Sequence, residues 1–167
     1  IKIHHNKNFD NKGKWAKSGK LIEALLLNFQ KDSFFKKSPP KSTGRELFNV
    51  DWLNKFDIEN YPPEDIQRTI LELTVVTIRN AIKKFCSNVD EIYICGGGSR
   101  NKFLMERLEE ITGINIDTTE KLNIPSQQVE AVAFAWLAKK CIQKQYNNSP
   151  TITGASGPRI LGVIHYS

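Results

Sequence analysis

The run Ile92-Tyr93-Ile94-Cys95-Gly96-Gly97-Gly98-Ser99-Arg100-Asn101 limits what this chain can fold into more than any other stretch. With Glu91 it reads as a short buried strand that runs straight into three glycines. After them, Asn101 or Ser99 is suited to cap a helix running through Met105 and Leu108 to Ile111, and Gly113 is placed to close it. Ile114-Asn115-Ile116-Asp117 reads as a second strand. Strands alternating with helices argue an α/β domain.

The flanks add helices. After the strong helix start Pro62-Pro63-Glu64-Asp65, the residues Ile66, Ile70, Leu73, Thr77, Ala81 and Phe85 keep a period of three to four. That predicts a helix of about five turns. Upstream, Leu21-Ile22 and Leu25-Leu26 recur at helical spacing before Phe34-Phe35, and Ser38-Pro39-Pro40 stops any helix there. Asp51 is placed to cap a short helix carrying Trp52, Leu53 and Phe56. Residues 1–60 therefore read as a mostly helical or irregular leading segment, and residues 61–167 as an α/β nucleotide-binding lobe, together one structural domain. Pro125-Ser126 opens a last helix from Gln127 to about Gln145. Its stretch Val129 to Ala138 is apolar all round, which predicts a buried, closely packed element. Beyond Asn147-Asn148-Ser149-Pro150, the run Ile160 to Ile164 reads as a last strand.

Composition excludes more than it selects. At 167 residues, 40% hydrophobic and 25% charged, the chain suits one soluble domain and no collagen-like, disulfide-stapled or disordered class. The longest apolar run, the eight residues Ala131 to Ala138, is too short to span a bilayer, and Ile1 to His5 lacks the apolar centre of a secretory signal. The net charge of +6 is local: residues 1–41 hold ten of the 24 Lys and Arg and three acids. A solvated, Lys-rich surface explains this without nucleic acid, because no nucleic-acid module accompanies the charge. Cys86, Cys95 and Cys141 show no CxxC spacing, and they fit small buried side chains in a reducing compartment. Trp15, Trp52 and Trp136 read as core. His4, His5 and His165 are too scattered for a metal cluster, so no metal ligand is assigned.

Two places can carry chemistry. Three glycines let backbone N–H groups approach a ligand that any Cβ would hold off, and a helix N-terminus follows, favouring negative charge. The element is neither a P-loop nor the dinucleotide fingerprint: no Gly-Lys-Ser/Thr follows, and Asn101 stands where the third glycine would be. A nucleotide site and a tight turn that binds nothing both fit. Glu130, one turn into the last helix, suits either sugar hydroxyls or a favourable interaction with the helix N-terminus. Lys41-Ser42-Thr43-Gly44-Arg45-Glu46 reads as an ordered polar turn or a gathering of phosphate donors.

Several segments together resemble one family. Ile92 to Asn101, Val129 to Ala138, and Thr153-Gly154-Ala155-Ser156-Gly157-Pro158 with Leu161-Gly162 are similar to the C-terminal half of anhydro-N-acetylmuramic acid kinases. Pro39 to Asn49 and Ala16 to Lys20 match the same family upstream, so the resemblance runs from about Phe9 to Tyr166. It implies an α/β fold, the C-terminal lobe of the sugar-kinase, heat-shock ATPase and actin-like superfamily, with a twisted sheet and packed helices. It also implies an ATP- and Mg2+-dependent kinase of bacterial cytoplasm that opens and phosphorylates 1,6-anhydro-N-acetylmuramic acid to N-acetylmuramic acid 6-phosphate in peptidoglycan recycling. By that resemblance, Gly96, Gly97 and Gly98 with Asn101 line the adenosine side of the cleft, and Glu130 faces the sugar. A homodimer is the implied assembly, with no nucleic acid or membrane partner.

The departures carry equal weight. The family's Gly/Ser/Thr-rich phosphate loop and its aspartate in an Asp-Thr-Gly-Pro-Gly-Asn setting have no counterpart here. Asp10 matches a later turn of the family, and Asp51, Asp65 and Asp117 sit in no motif that substitutes for the missing base. The expectation is therefore a chain with no catalytic residue of its own. It would be inactive without the family's N-terminal half, and its uncovered apolar surface would limit its solubility. The rival expectation is a non-catalytic remnant of a split or truncated gene that binds nucleotide or a partner. A weaker one is a basic nucleic-acid module built on residues 1–41.

Overall fold

The long helix expected after Pro62-Pro63 organises everything around it. A computed structural model of the chain describes residues 1–86 and 88–165. In chain order the helices are α1 (Lys2–His5), α2 (Lys14–Ser18), α3 (Glu23–Phe29), α4 (Ser33–Lys36), α5 (Val50–Leu53) and α6 (Pro63–Phe85). Strand β1 (Glu91–Ile94), α7 (Lys102–Thr112), β2 (Asn115–Thr118), α8 (Val129–Ile142) and α9 (Pro150–Thr153) follow. In α6, Pro63 opens the first turn, Glu64 and Asp65 stand near its positive end, and Lys83 and Lys84 near its negative end.

Its length lets α6 serve two cores. On one side Leu71 and Val75 pack with Ala16, Phe103 and Leu108, joined by Ile94 and Ile116 from the strands. On the other, Leu73 joins Leu25, Leu26, Phe29 and Trp52. Rings tighten this second core: Phe56 meets Phe29 edge-on at 4.8 Å, and Phe48 meets Trp52 at 5.0 Å. The helix of Trp52 is capped by Asn49, whose side chain accepts from the Trp52 N–H at 2.9 Å, two residues before the expected Asp51. Asp51 falls inside the first turn instead.

Among the described residues, β1 and β2 form a two-stranded parallel sheet in the register Glu91–Asn115 to Ile94–Thr118. Helix α7 connects them, so the β–α–β order expected from the sequence is present. Asn101 supplies the cap of α7, accepting from the Leu104 N–H at 3.0 Å.

The C-terminal part departs from expectation. Helix α8 forms but has no buried residue: Phe134 is 71% exposed and Trp136, expected in the core, 48%. An all-round apolar helix is buried only where neighbours surround it, and here α8 shares an apolar groove with Leu161–Ile164, to which it contributes Phe134 and Cys141. Residues 160–164 form no strand: Gly162 takes a φ of +103°, Leu161 exchanges both backbone hydrogen bonds with the Asn147 side chain, and among the described residues the expected last strand pairs with no other. Cys86 and Cys95 are exposed rather than buried, and Cys141 is half-buried.

Candidate functional site

The three glycines differ in what the backbone asks of them. Gly96 has φ +73° and ψ −166°, a region in which essentially only glycine is comfortable. The 3-10 turn Gly97–Arg100 follows, and neither Gly97 nor Gly98 adopts a positive φ. A Cβ on Gly97 would meet nothing within 4 Å, and one on Gly98 only Leu104 Cδ2 at 3.7 Å. The tight turn therefore explains Gly96 alone. Gly97 leaves an open face on the turn that leads into α7, where a ligand can approach the backbone closely.

A hydrogen-bond network ties this turn to the start of α8. The Gly96 N–H donates to the Ser126 carbonyl at 2.8 Å, and Ser99 Oγ donates back to the Gly96 carbonyl at 2.7 Å. Gln127 Nε2 donates to the same carbonyl at 2.7 Å, and Ser99 Oγ lies 3.2 Å from Ser126 Oγ. Ser126 is only 5% exposed, and its N–H donates to Glu120 Oε1 at 2.9 Å. Hydrogen bonds from the Thr118 side chain, then from Ser126, hold the Glu120 carboxyl down to about 2.

Glu130 stands exposed in the first turn of α8, three residues beyond Gln127. The two sequence-derived candidates are thus linked through Ser126 and Gln127. Asn101 belongs to the turn as well, but its Oδ1 is occupied in capping α7, which leaves its amide hydrogens for any outward contact. Ser126, Gln127 and Glu120 were not singled out from sequence, since their partners lie six to 31 residues away. The one local signal was Pro125-Ser126 as a helix start.

Other candidates stand apart. Lys41 Nζ donates to the Phe34 carbonyl at 3.1 Å, and Glu46 Oε1 accepts from its own loop at the Gly44 N–H, 2.7 Å away, an ordered turn. The motif loops at Pro40 and Gly154 do meet: a Cβ on Gly154 would stand 3.0 Å from Pro40 Cγ. Both oxygens of Asp10 accept N–H groups of the first turn of α2, from Trp15 and Ala16, each at 2.9 Å. Asp65 Oδ1 accepts from the Lys20 N–H at 2.7 Å, and Asp117 Oδ1 from the Thr118 N–H at 2.7 Å. His4 and His5 rest against Trp15, itself half-buried. Among the described residues, no group of three or more His, Cys, Asp or Glu is placed to hold a metal.

A parallel β–α–β unit whose glycine turn leads into a helix makes this an α/β chain with packed helices. The chain matches, over residues 1–167, the sequence model of the family described as "Anhydro-N-acetylmuramic acid kinase". Proteins of that name from Ralstonia nicotianae and Pseudomonas savastanoi pv. phaseolicola are 41% and 42% identical to it, each across 99% of this chain. One from Coxiella burnetii is 41% identical over 96% of the chain. This chain belongs to the anhydro-N-acetylmuramic acid kinase family. It spans 44%, 46% and 44% of the length of these three relatives, a little under half.

Proposed function

We propose that this chain supplies the nucleotide side and one wall of the sugar site of a kinase that hydrolyses and phosphorylates 1,6-anhydro-N-acetylmuramic acid. The product is N-acetylmuramic acid 6-phosphate, and the setting is peptidoglycan recycling in the bacterial cytoplasm. The carrying observation is the open space at Gly97, where the fold itself gives no reason for a missing side chain. Gly96, Gly97 and Gly98 with the Asn101 amide form a cradle whose uncovered face suits the adenosine part of ATP. When bound, ATP supplies the phosphoryl group. The residues of this chain hold and orient: the backbone N–H groups at Gly97 and Gly98 border the nucleotide, and Ser126 with Gln127 fixes the start of α8. Glu130 then accepts hydrogen bonds from sugar hydroxyls. No set of residues here is assigned to Mg2+, and no catalytic base.

Phosphoryl transfer rests on positioning and electrostatic stabilisation of the phosphates. This chain is therefore inactive by itself, and activity requires a polypeptide equivalent to the other half of its relatives. The uncovered apolar side chains of α8 support that reading, since a partner of that kind would cover them. Isothermal titration of the chain with ATP·Mg2+ tests the nucleotide role, with Gly97→Val as control. Binding that disappears in the variant supports it, and a folded chain that takes up no nucleotide, with or without the complementary half, refutes it. Turnover of the anhydro sugar by the chain alone would refute the inactivity.

A further inference from the structure

Three of the ten lysines of residues 1–41 gather at one place, with a fourth from α6. Between α4 and the last turns of α6 lies a cavity of about 200 Å³ bordered by Lys36, Lys37, Lys41 and Lys84. Thr77, Asn80, Ala81 and Lys84 line it from α6, at the three- and four-residue spacing that puts them on one face. Gln30 adds an amide, and Phe35 and Phe85 give it apolar walls.

No acid borders this space. Among the described residues, none of the four lysines makes an ion pair with a carboxylate. Asp32, in electrostatic reach of Lys37, is already committed: its carboxylate accepts from the Phe34 N–H at 2.8 Å and from Trp52 Nε1 at 2.9 Å. Lys41 is held over the Phe34 ring at 4.9 Å with one proton on a carbonyl, leaving two donors free. Four like charges around one hollow repel one another, and an anion seated among them removes that repulsion.

We propose that this cavity binds a small phosphorylated molecule, of the size of a monosaccharide phosphate. The lysines would hold the phosphate as point charges, Thr77, Asn80 and Gln30 would take hydroxyls, and the two rings would pack on the carbon skeleton. It is built from other elements than the glycine turn, and it does not depend on the nucleotide reading. The volume accommodates a group of that size, and the absence of lining acids sets the charge.

Amine-reactive footprinting of the 167-residue chain tests it, with inorganic phosphate, glucose 6-phosphate and glucose as separate probes. With glucose 6-phosphate at about ten times its Kd, labelling of Lys36, Lys37, Lys41 and Lys84 falls about tenfold, while Lys17 and Lys121 are unchanged. Protection by inorganic phosphate alone would assign the site to the free ion, and stronger protection by the sugar phosphate to the ester; glucose protects neither way. The double variant Lys37→Gln/Lys84→Gln loses protection at Lys36 and Lys41. Absent or uniform protection overturns the proposal, as does protection of all the lysines of residues 1–41 by a single-stranded oligonucleotide with none by the small phosphates.

Discussion

Arg107, on α7, grips both carboxylate oxygens of Glu72, on α6, donating from Nη2 at 2.7 Å and from Nε at 3.1 Å. Arg68 adds a third bond from one turn away, at 2.5 Å. Glu72 is 3% exposed, so the pair pins the two helices that enclose the first core. Burial pushes its carboxyl up, but the hydrogen bonds from Arg107 and Arg68 outweigh that and hold it below its ordinary value of 4.5.

Removing this carboxylate leaves two guanidinium groups facing each other in a confined place. Glu72→Gln is expected to cost about 3 kcal/mol, read as a lower urea midpoint with an unchanged slope. Because the folded-state pKa is depressed, the stabilisation is complete above 4.5 and disappears as pH falls through the lower folded value. The variant's midpoint should therefore change less than the parent's between neutral pH and pH about 3. An equal acid loss in both would contradict the assignment.

The glycine turn separates stability from binding at adjacent positions. Gly96→Ala forces a side chain into its special backbone region and should cost about 1–3 kcal/mol. Gly97→Val should stay within about 0.5 kcal/mol of the parent by urea titration. Nucleotide binding should nevertheless be lost, because the branched side chain fills the open face. A Gly97→Val chain that keeps its affinity would remove the main support for the cleft.

Glu120 gives an acid-side readout of the network. Its carboxyl is held at about 2 against an ordinary 4.5, so its bond to the Ser126 N–H persists through that window and is lost as pH falls through about 2. The Ser126 amide resonance should titrate with that midpoint, and Glu120→Gln should abolish the titration. A midpoint near 4.5 would show that the carboxylate is not held there.

The uncovered face of α8 should be visible in solution. Phe134 and Ile142 are 71% and 69% exposed, so an apolar-surface dye is expected to bind the chain and promote self-association. Phe134→Glu with Ile142→Lys should lower dye fluorescence several-fold and change stability by less than about 0.5 kcal/mol. A parent chain that is monomeric and dark to the dye would argue that this face is covered.

What the sequence disclosed follows from where the information sits. The long α6, the strand-glycine-helix unit and the Asn101 cap were legible because each depends on residues within a turn or two of one another. Glu72 was not, because its role depends on Arg107, 35 residues away. Trp136 and the run Ile160 to Ile164 misled for the opposite reason: apolar character records what a segment needs, and α8 and the tail meet each other only in part and stay largely exposed. In the candidate site, the glycines and Glu130 could be picked out singly. The Ser126–Gln127 bridge between them appears only when the chain is folded.

The contact between Gly13 and Asn101 has a genetic consequence. Gly13 sits at φ +71°, and a Cβ there would fall 2.1 Å from Asn101 Oδ1 and 2.8 Å from Phe103 Cβ. The leading segment is thus the lid on the very cap that anchors the glycine turn. A screen for alleles that lose ligand affinity would return Gly13 beside Gly97, two positions that read as unrelated on the chain and belong to one structural neighbourhood.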